Sequence, residues 1–252
     1  MLPVVLLSGG LATRMRPLAE KIPKAMLDVA GKPFIYHQLS LLKKKGIKHI
    51  ILCLGYLGEM VEDYVGNGSK FQLEVQYSYD GEKLLGTGGA IKNALKYLDD
   101  FFFVLYGDSY LDVDYYKIEE AFNNSDKKGL MTVYKNENRW DTSNVIFENN
   151  EIIMYNKTSR LKEMRYIDYG LGILNKKLFL DFKKDTVFDL ADFYEKLAEE
   201  RQLLGYEIFE RFYEIGSKEG LMELEQKILG ADKHNNKETA LMETELRPGG
   251  GG

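Results

Sequence analysis

Residues with affinity for phosphate groups stand close together near the start of the chain. An apolar run at residues 4–7 leads into Gly9 and Gly10, and Arg14 and Lys24 follow. Adjacent glycines let the backbone reach positive φ, and their amides can approach phosphate oxygens without a Cβ in the way. An arginine fork matches two phosphate oxygens, and a lysine adds a compact charge. The set predicts a triphosphate site, although a glycine pair after a first strand also occurs as a purely structural turn.

A second glycine-rich segment begins at residue 86. Gly86, Thr87 and Gly88 precede apolar residues at helical spacing, so we expect them to open a helix. A glycine-rich helix start lets a flat group lie against the backbone, where amides and carbonyls can bind the edge of a nucleobase. The alternative interpretation is a tight strand-to-helix turn without a ligand.

An acidic residue, Asp108, follows the apolar run at residues 101–106. In an open parallel sheet, ligands bind at the carboxyl ends of the strands, so Asp108 is expected to face the phosphates. A carboxylate there suits Mg²⁺, which takes few protein oxygens and keeps phosphate and water ligands. Asp112 and Asp114 are nearby alternatives, but their alternation with apolar residues suits a solvated face better. Helix capping is the main alternative role for Asp108 itself.

Strand and helix patterns alternate through the first half of the chain. Buried strands are predicted at residues 4–7 and 49–55, with helices after Pro33 and at residues 57–65, which is typical of a parallel sheet with right-handed crossovers. Later strand patterns follow one another, and Asn149 and Asn150 mark a hairpin-type turn. We therefore predict an α/β, Rossmann-like fold with a mostly parallel central sheet flanked by helices. A smaller mixed β subregion would extend it.

Length and composition bound the domain organisation. The chain has 252 residues, 44% of them hydrophobic, which is ample for one sizeable domain. We assign residues 1–230 to that domain. Residues 231–252 are polar and end in glycines, so we expect a flexible tail there.

Charge and cysteine usage exclude some classes of protein. A net charge of -5 argues against non-specific nucleic-acid binding, because the nucleic-acid backbone is met by basic faces. Cys53 is the only cysteine, so no intrachain disulfide can form, and a cytoplasmic location is expected. The N-terminal sequence lacks the basic segment and long apolar core of a signal peptide or membrane span. His37 lacks a second ligand at metal spacing, which favours packing over chemistry.

The first segment resembles the signature of the sugar 1-phosphate nucleotidyltransferases. That signature has a double glycine, a small residue and Thr-Arg, then Pro-Leu, Pro-Lys and Gly-Lys-Pro. The matching residues here are Gly9, Gly10, Ala12, Thr13, Arg14, Pro17, Leu18, Pro23, Lys24, Gly31, Lys32 and Pro33. The segment around Gly86 is similar to that of the heptose and mannose 1-phosphate guanylyltransferases and of the muramate uridylyltransferase. The resemblance implies a GT-A-like form of the fold.

The resemblance also implies roles for individual residues. Arg14 would hold the leaving phosphates and Lys24 the reacting phosphate region. The nucleotide-binding residues would be Leu7, Ser8, Gly9, Gly10, Gly86, Thr87 and Gly88. The residues around the sugar phosphate would be Gly107, Asn144, Asn156, Lys157, Asp168 and Gly170. Asp108 and Glu214 would bind Mg²⁺.

Several positions in the second half depart from the family pattern. Asn156 stands where glutamate is usual before the lysine, and Asp168 begins a triplet that is commonly Asn-Ala-Gly. Glu214 replaces a common aspartate and also fits an ordinary edge strand. Trp140 replaces a segment that usually contains Tyr-Gly, and it could stack on a sugar or cap the core. These departures affect the identity of the sugar more than the reaction.

The implied reaction is attack of a sugar 1-phosphate on the α-phosphorus of a nucleoside triphosphate, giving a nucleotide-sugar and pyrophosphate. The residues agree, because no serine, cysteine or histidine constellation suggests a covalent intermediate. GTP with a heptose or mannose-type 1-phosphate, in surface-polysaccharide precursor synthesis, is the favoured pair. Alternatives are uridylyl, thymidylyl or cytidylyl transfer, a glycosyltransferase, or a regulatory module that binds nucleotide without turnover. A homo-oligomer is possible.

Overall fold

A computed structural model of the chain describes residues 1–10 and 21–230. The proposed phosphate ligand Arg14 and the expected tail at residues 231–252 lie outside the described residues. The strands are β1 Val4–Ser8, β2 Asp28–Val29, β3 Lys32–Pro33, β4 His49–Leu54, β5 Glu74–Tyr79, β6 Phe101–Tyr106, β7 Ser109–Tyr110, β8 Gly129–Lys135, β9 Val145–Glu148, β10 Glu151–Tyr155, β11 Tyr166–Asn175, β12 Leu203–Ile208 and β13 Tyr213–Glu214. The helices are α1 Phe34–Lys44, α2 Gly58–Val65, α3 Gly86–Ala94, α4 Tyr115–Asn123 and α5 Leu190–Glu199, with a last helix, α6, over residues 218–230.

Nine of these strands form one central sheet in the order β5-β4-β1-β6-β11-β8-β12-β10-β9. The first four are parallel to one another, as the alternating strand and helix patterns predict. Strand β11 then runs antiparallel to both β6 and β8, and β12 is parallel to β8. The predicted α/β fold with a mixed β extension is thus confirmed. The extension continues the same sheet, so the two parts of the molecule share its strands.

Helices cover both faces of the sheet because its strands are apolar on both sides. On one face, Leu6 and Leu52 pack with side chains of α1, α2 and α4. On the other face, Val5 and Ile51 pack with α3 and α5. Successive residues of β1 and β4 therefore enter opposite cores, which is the geometry of strands buried on both faces. Burying each such side chain stabilises the fold by roughly 1.5–3 kcal/mol.

Local turn chemistry also follows the sequence. Asn149 and Asn150 join β9 to β10, and both adopt positive φ, as a two-residue hairpin turn of this kind requires. Pro33 lies just before the first residue of α1, and Gly46 takes a φ of 88° just after that helix. Asp114 caps α4 by accepting a hydrogen bond from the amide of Lys117.

Within the described ranges, no helix has the length and apolarity needed to cross a membrane.

Candidate active site

A cavity of about 250 Å³ opens at the carboxyl ends of the parallel strands. Residues from the ends of β1, β4 and β6, from the turn after β5, and from the start of α3 line it. The lining residues are Leu7, Ser8, Gly9, Gly10, Lys24, Ala25, Cys53, Asp80, Leu84, Gly86, Thr87, Ala90, Tyr106, Gly107 and Asp108. The first glycine turn, the second glycine segment and Asp108, far apart in sequence, thus meet at one edge of the sheet.

The two glycines after β1 play different parts. Gly9 packs against the turn after β4, because a Cβ on Gly55 would stand 2.5 Å from the carbonyl oxygen of Gly9. Among the described residues, no atom lies within 4 Å of the position that a Cβ on Gly10 would take. Gly9 is therefore fixed by backbone packing, whereas none of the described residues crowds Gly10.

The start of α3 packs against the segment that precedes α5. Gly86 has a φ of 73°, and its missing Cβ would lie 2.6 Å from the carbonyl oxygen of Phe188. A Cβ on Gly88 would stand 2.2 Å from the Phe188 ring, and the Gly88 amide donates to the Phe188 carbonyl at 3.1 Å. Gly88 does not line the cavity, whereas Gly86 and Thr87 do. Close packing is thus one reason for glycine at position 88, and a nucleotide-binding role for Gly88 stays a prediction.

Lys24 and Asp108, which both line the cavity, form an ion pair. The Lys24 Nζ lies 2.8 Å from the Asp108 Oδ2, and both side chains are partly exposed. Asp108 lies in the tight turn between β6 and β7, so it does not cap a helix. The ammonium and carboxylate expected to meet phosphate and metal thus already lie side by side.

The second acidic residue, Glu214, lies beside Asp108 in the backbone. It sits opposite Ser109 in the β7–β13 pair, and the amide of Ile215 donates to the Asp108 carbonyl at 2.9 Å. The Glu214 side chain lines a second pocket together with Trp140. Within residues 1–10 and 21–230, no cluster of three or more His, Cys, Asp and Glu side chains could hold a metal. Asp108 and Glu214 are carboxylates of the kind that Mg²⁺ binds, but they line different pockets, so a shared Mg²⁺ site stays a prediction.

Asp168 lies at the centre of a polar group behind the cavity. Its Oδ1 accepts from the Gly170 amide at 2.9 Å, and its Oδ2 accepts from the Tyr106 hydroxyl at 3.4 Å. Asn144 accepts from the Asp168 amide at 3.0 Å. Since Tyr106 lines the cavity, this group adjoins it. Loss of solvent raises the pKa of Asp168, and the Gly170 amide and the charge of Lys157 oppose that shift without cancelling it.

The loop after β10 carries Asn156 and Lys157. Asn156 donates to Glu195 and accepts from the amides of Thr158 and Ser159, so both ends of its amide hold the loop together. The Lys157 ammonium lies 3.5 Å from Asp189 and 5.8 Å from the centre of the Tyr106 ring. The structure thus places Lys157 beside the cavity and engages Asn156 within the protein.

Several lining residues were not predicted from the sequence, among them Asp80, Tyr106 and Cys53. Asp80 directly follows β5, as Asp108 follows the end of β6, so its place after a parallel strand was an available signal. Its Oδ2 accepts from the Leu85 amide at 3.2 Å. Burial raises the pKa of Asp80, and that bond lowers it. No local pattern marks Tyr106 or Cys53, which look like ordinary core residues of their strands.

Trp140 meets an arginine at one ring face. The guanidinium carbon of Arg211 lies 3.4 Å from the ring centre, and Arg211 also pairs with Glu223 of α6. The ring itself remains 46% exposed. Trp140 therefore does not cap the core, and the arrangement connects its loop to the last helix.

His37 hydrogen-bonds the Val29 carbonyl at 2.7 Å, in line with a packing role.

Comparison with known proteins decides the family. The model of the Nucleotidyl transferase family matches residues 3–230. The chain belongs to that family. A D-glycero-alpha-D-manno-heptose 1-phosphate guanylyltransferase of Campylobacter jejuni is 32% identical over 193 residues, covering 76% of this chain and 84% of the relative. An N-acetylmuramate alpha-1-phosphate uridylyltransferase of Neisseria meningitidis is 39% identical over 112 residues, covering 44% of this chain and 48% of the relative.

A solved structure gives the same result. HddC from Yersinia pseudotuberculosis, crystallised with GMP-PN, superposes with a TM-score of 0.75 at 30% identity, over 90% of this chain and all of that one. The resemblance to sugar 1-phosphate nucleotidyltransferases, and the assignment as an enzyme of that class, are thereby confirmed. The substrates of the family are a nucleoside triphosphate and a sugar 1-phosphate. The roles of the individual residues stay predictions.

We expect the carboxyl of Asp168 to make stability fall as pH rises. Its folded pKa is raised, so the folded state binds the proton more tightly than the unfolded state, whose pKa is about 3.9. The associated stability is present below that value and is lost as pH rises through the folded pKa. Asp168→Asn should therefore gain stability relative to the parent across that window, measured by urea unfolding from about pH 4 to about pH 7. The exposed Asp63→Asn is the control, and parallel curves for Asp168→Asn and the parent would refute the expectation.

Proposed function

We propose that this enzyme transfers GMP from GTP to a heptose or mannose-type sugar 1-phosphate and releases pyrophosphate. The observation that carries the proposal is the meeting of the backbone at Gly10, the start of α3 and the Lys24–Asp108 pair around one cavity. Guanylyltransferase relatives that cover most of the chain support the choice of GTP. A role in making surface-polysaccharide precursors belongs to the same proposal.

In this reaction the protein works by positioning and by neutralising charge. Backbone amides at Gly9 and Gly10 would face phosphate oxygens, Lys24 would contact the reacting phosphate region, and Arg14 would hold the leaving phosphates. Asp108 and Glu214 would hold Mg²⁺, which supplies charge neutralisation on the phosphate oxygens when bound. The sugar phosphate oxygen can then attack without a covalent enzyme intermediate.

The choice of base is supported by Asp80. Asp80 lines the cavity, as do the apolar residues Leu84 and Ala90. A base lying flat among them would turn its edge towards a group that only accepts hydrogen bonds. The Watson–Crick edge of guanine offers two adjacent donors, N1–H and N2–H, whereas uracil offers one donor between two carbonyl oxygens. A carboxylate therefore favours guanine.

The sugar would lie on the Lys157 side of Tyr106. Lys157 would contact the sugar phosphate, and Asp168 would accept hydrogen bonds from sugar hydroxyls. Burial raises the pKa of Tyr106 and of Tyr194 well above the ordinary value, so their hydroxyls stay protonated as donors. A floor with donors and acceptors suits a substrate rich in hydroxyl groups. Gly170, with a φ of 95°, lets the backbone beside Asp168 pack closely against Ser109 and Tyr106.

Transfer of UMP is the second candidate. The Neisseria relative named for uridylyl transfer is similar over less than half of this chain, and its identity there is higher, at 39%. The cavity that would hold the base does not by itself exclude a pyrimidine.

A cytoplasmic location also belongs to the proposal, because the one cysteine, Cys53, is a buried free thiol.

The proposal predicts a clear substrate preference. Five triphosphates crossed with mannose-type, heptose, glucose and muramate-type sugar 1-phosphates should give pyrophosphate fastest with GTP and a heptose or mannose-type partner. We expect kcat/KM for GTP to exceed that for UTP by about tenfold or more, since the base differs in its hydrogen-bond donors. Faster release with UTP would replace the first candidate by the second, and no release with any pair would overturn both.

Asp80→Asn should weaken the preference for GTP. An asparagine amide keeps one acceptor but turns a donor towards the base, so one guanine N–H loses its partner. The ratio of kcat/KM for GTP to that for UTP should fall roughly 5–150-fold, which corresponds to about 1–3 kcal/mol. The control is Glu82→Gln, which removes an exposed carboxylate from the same loop. An unchanged ratio in Asp80→Asn would remove Asp80 from base recognition.

Asp108→Asn should raise the magnesium requirement. With the carboxylate gone, half-maximal pyrophosphate release should need roughly tenfold more Mg²⁺ or more, or turnover should be lost. Asp112→Asn is the matched control, because Asp112 is the neighbouring carboxylate and instead pairs with Lys45. Melting temperatures of both variants separate metal binding from folding. A magnesium titration that coincides with that of the parent would exclude Asp108 as a ligand.

A further inference from the structure

Asp189 joins three segments of the chain through one carboxylate oxygen. The residue precedes α5, and its Oδ1 accepts from the Ala191 amide at 2.7 Å, which caps that helix. The same oxygen accepts from the Thr87 hydroxyl at 3.2 Å. It also lies 3.5 Å from the Lys157 ammonium. Thr87 in turn accepts from the Leu190 amide at 2.8 Å, so it is held at the helix start from both sides.

Capping alone does not explain this arrangement. A helix cap needs only an acceptor for one or two amides, and asparagine or serine would serve equally well. The negative charge of Asp189 instead attracts the ammonium of Lys157, whose flexible stem would otherwise leave it free to move. The Asp189 side chain is half exposed, so the ion pair contributes only about 0–1 kcal/mol to stability. The ion pair therefore affects the position of the Lys157 ammonium more than the stability of the fold.

The position that results is beside the cavity. Lys157 lies near both Asp189 and the ring of Tyr106, and Tyr106 and Thr87 both line the cavity. We infer that Asp189 is a positioning residue that sets the Lys157 ammonium for the sugar phosphate and fixes it relative to the Thr87 side of the nucleotide site. The inference rests on the proposed function, because it takes Lys157 as the residue that meets the sugar phosphate.

Asp189→Asn tests this with little disturbance of the fold. Asparagine keeps an acceptor for the Ala191 amide and for Thr87, but it cannot hold an ammonium by charge. We expect KM for mannose 1-phosphate to rise about five- to tenfold, roughly 1–1.4 kcal/mol, with kcat and KM for GTP within about twofold. The matched control is Asp192→Asn, an exposed acid three residues along in the first turn of α5. Its KM values should equal those of the parent.

A second variant shows whether Asp189 acts through Lys157. In a Lys157→Met background, Asp189→Asn should leave KM for mannose 1-phosphate unchanged within about twofold, because the positioned group is gone. If Asp189→Asn still raises KM for mannose 1-phosphate by about five- to tenfold in that background, the inference is overturned. An unchanged KM in Asp189→Asn alone would overturn it too. A fall in melting temperature with equal losses for both substrates would show a structural role only, and would also overturn it.

Failure of the proposed function is distinguished by the parent enzyme. If the parent releases no pyrophosphate with any substrate pair, the proposed function fails. The positioning of Lys157 by Asp189, apart from any sugar phosphate, is then decided by ligand-free crystal structures of the parent and of Asp189→Asn. Departure of the Lys157 ammonium from the Tyr106 ring in the variant alone would support it, and an unmoved lysine would contradict it.

Discussion

The close approach of bare backbone at the ends of the parallel strands is the constraint on which the site depends. A Cβ on Gly107 would stand 2.4 Å from the carbonyl oxygen of Leu7, and one on Gly55 would stand 2.5 Å from that of Gly9. Any side chain at either position would force β1 away from β4 or β6. Because the backbones touch directly, three strand ends converge, and the groups that follow them reach one cavity.

The same principle fastens the second half of the molecule to the first. The start of α3 has no room for side chains where it meets Phe188, so the segment before α5 lies directly on it. Strand β11 adds to the edge of β6 in the same sheet and brings Asp168 and Gly170 behind Tyr106. The residues expected to bind the nucleotide and those expected to bind the sugar phosphate are thus held by one sheet and the helices packed on it.

The sequence predicts the local parts of this site better than the long-range ones. Gly10 and Asp108 could be found because each follows a strand pattern, and the carboxyl ends of parallel strands share one edge. The packing role of Gly88 depends on Phe188, a hundred residues away, so no local pattern distinguishes it from a ligand contact. Asn156 shows the same difficulty, because its partner Glu195 lies on α5.

Residues that act through distant partners are the least visible from sequence. Asp80 had a usable signal in its place after β5, but its orientation depends on the Leu85 amide. Asp189 looks like an ordinary helix cap until Thr87 and Lys157 are seen on the same oxygen. The β7–β13 pair, which puts Glu214 next to Asp108, joins segments about a hundred residues apart. Side-chain patterns within one strand or helix carry no information about such pairings.

Lys24 and Lys157, two cations proposed to meet phosphate groups, are each paired with a carboxylate. The protein carries a net charge of -5, and its expected substrates are polyanions, so attraction must be local. Lys24 and Lys157 each lie beside a carboxylate, Asp108 and Asp189 respectively. Those carboxylates reduce the raw attraction for phosphate, but they hold flexible ammonium groups near the positions where they are proposed to act. Because ordering a flexible side chain on binding costs about 0.5–1.5 kcal/mol, such preorganisation offsets part of the lost attraction.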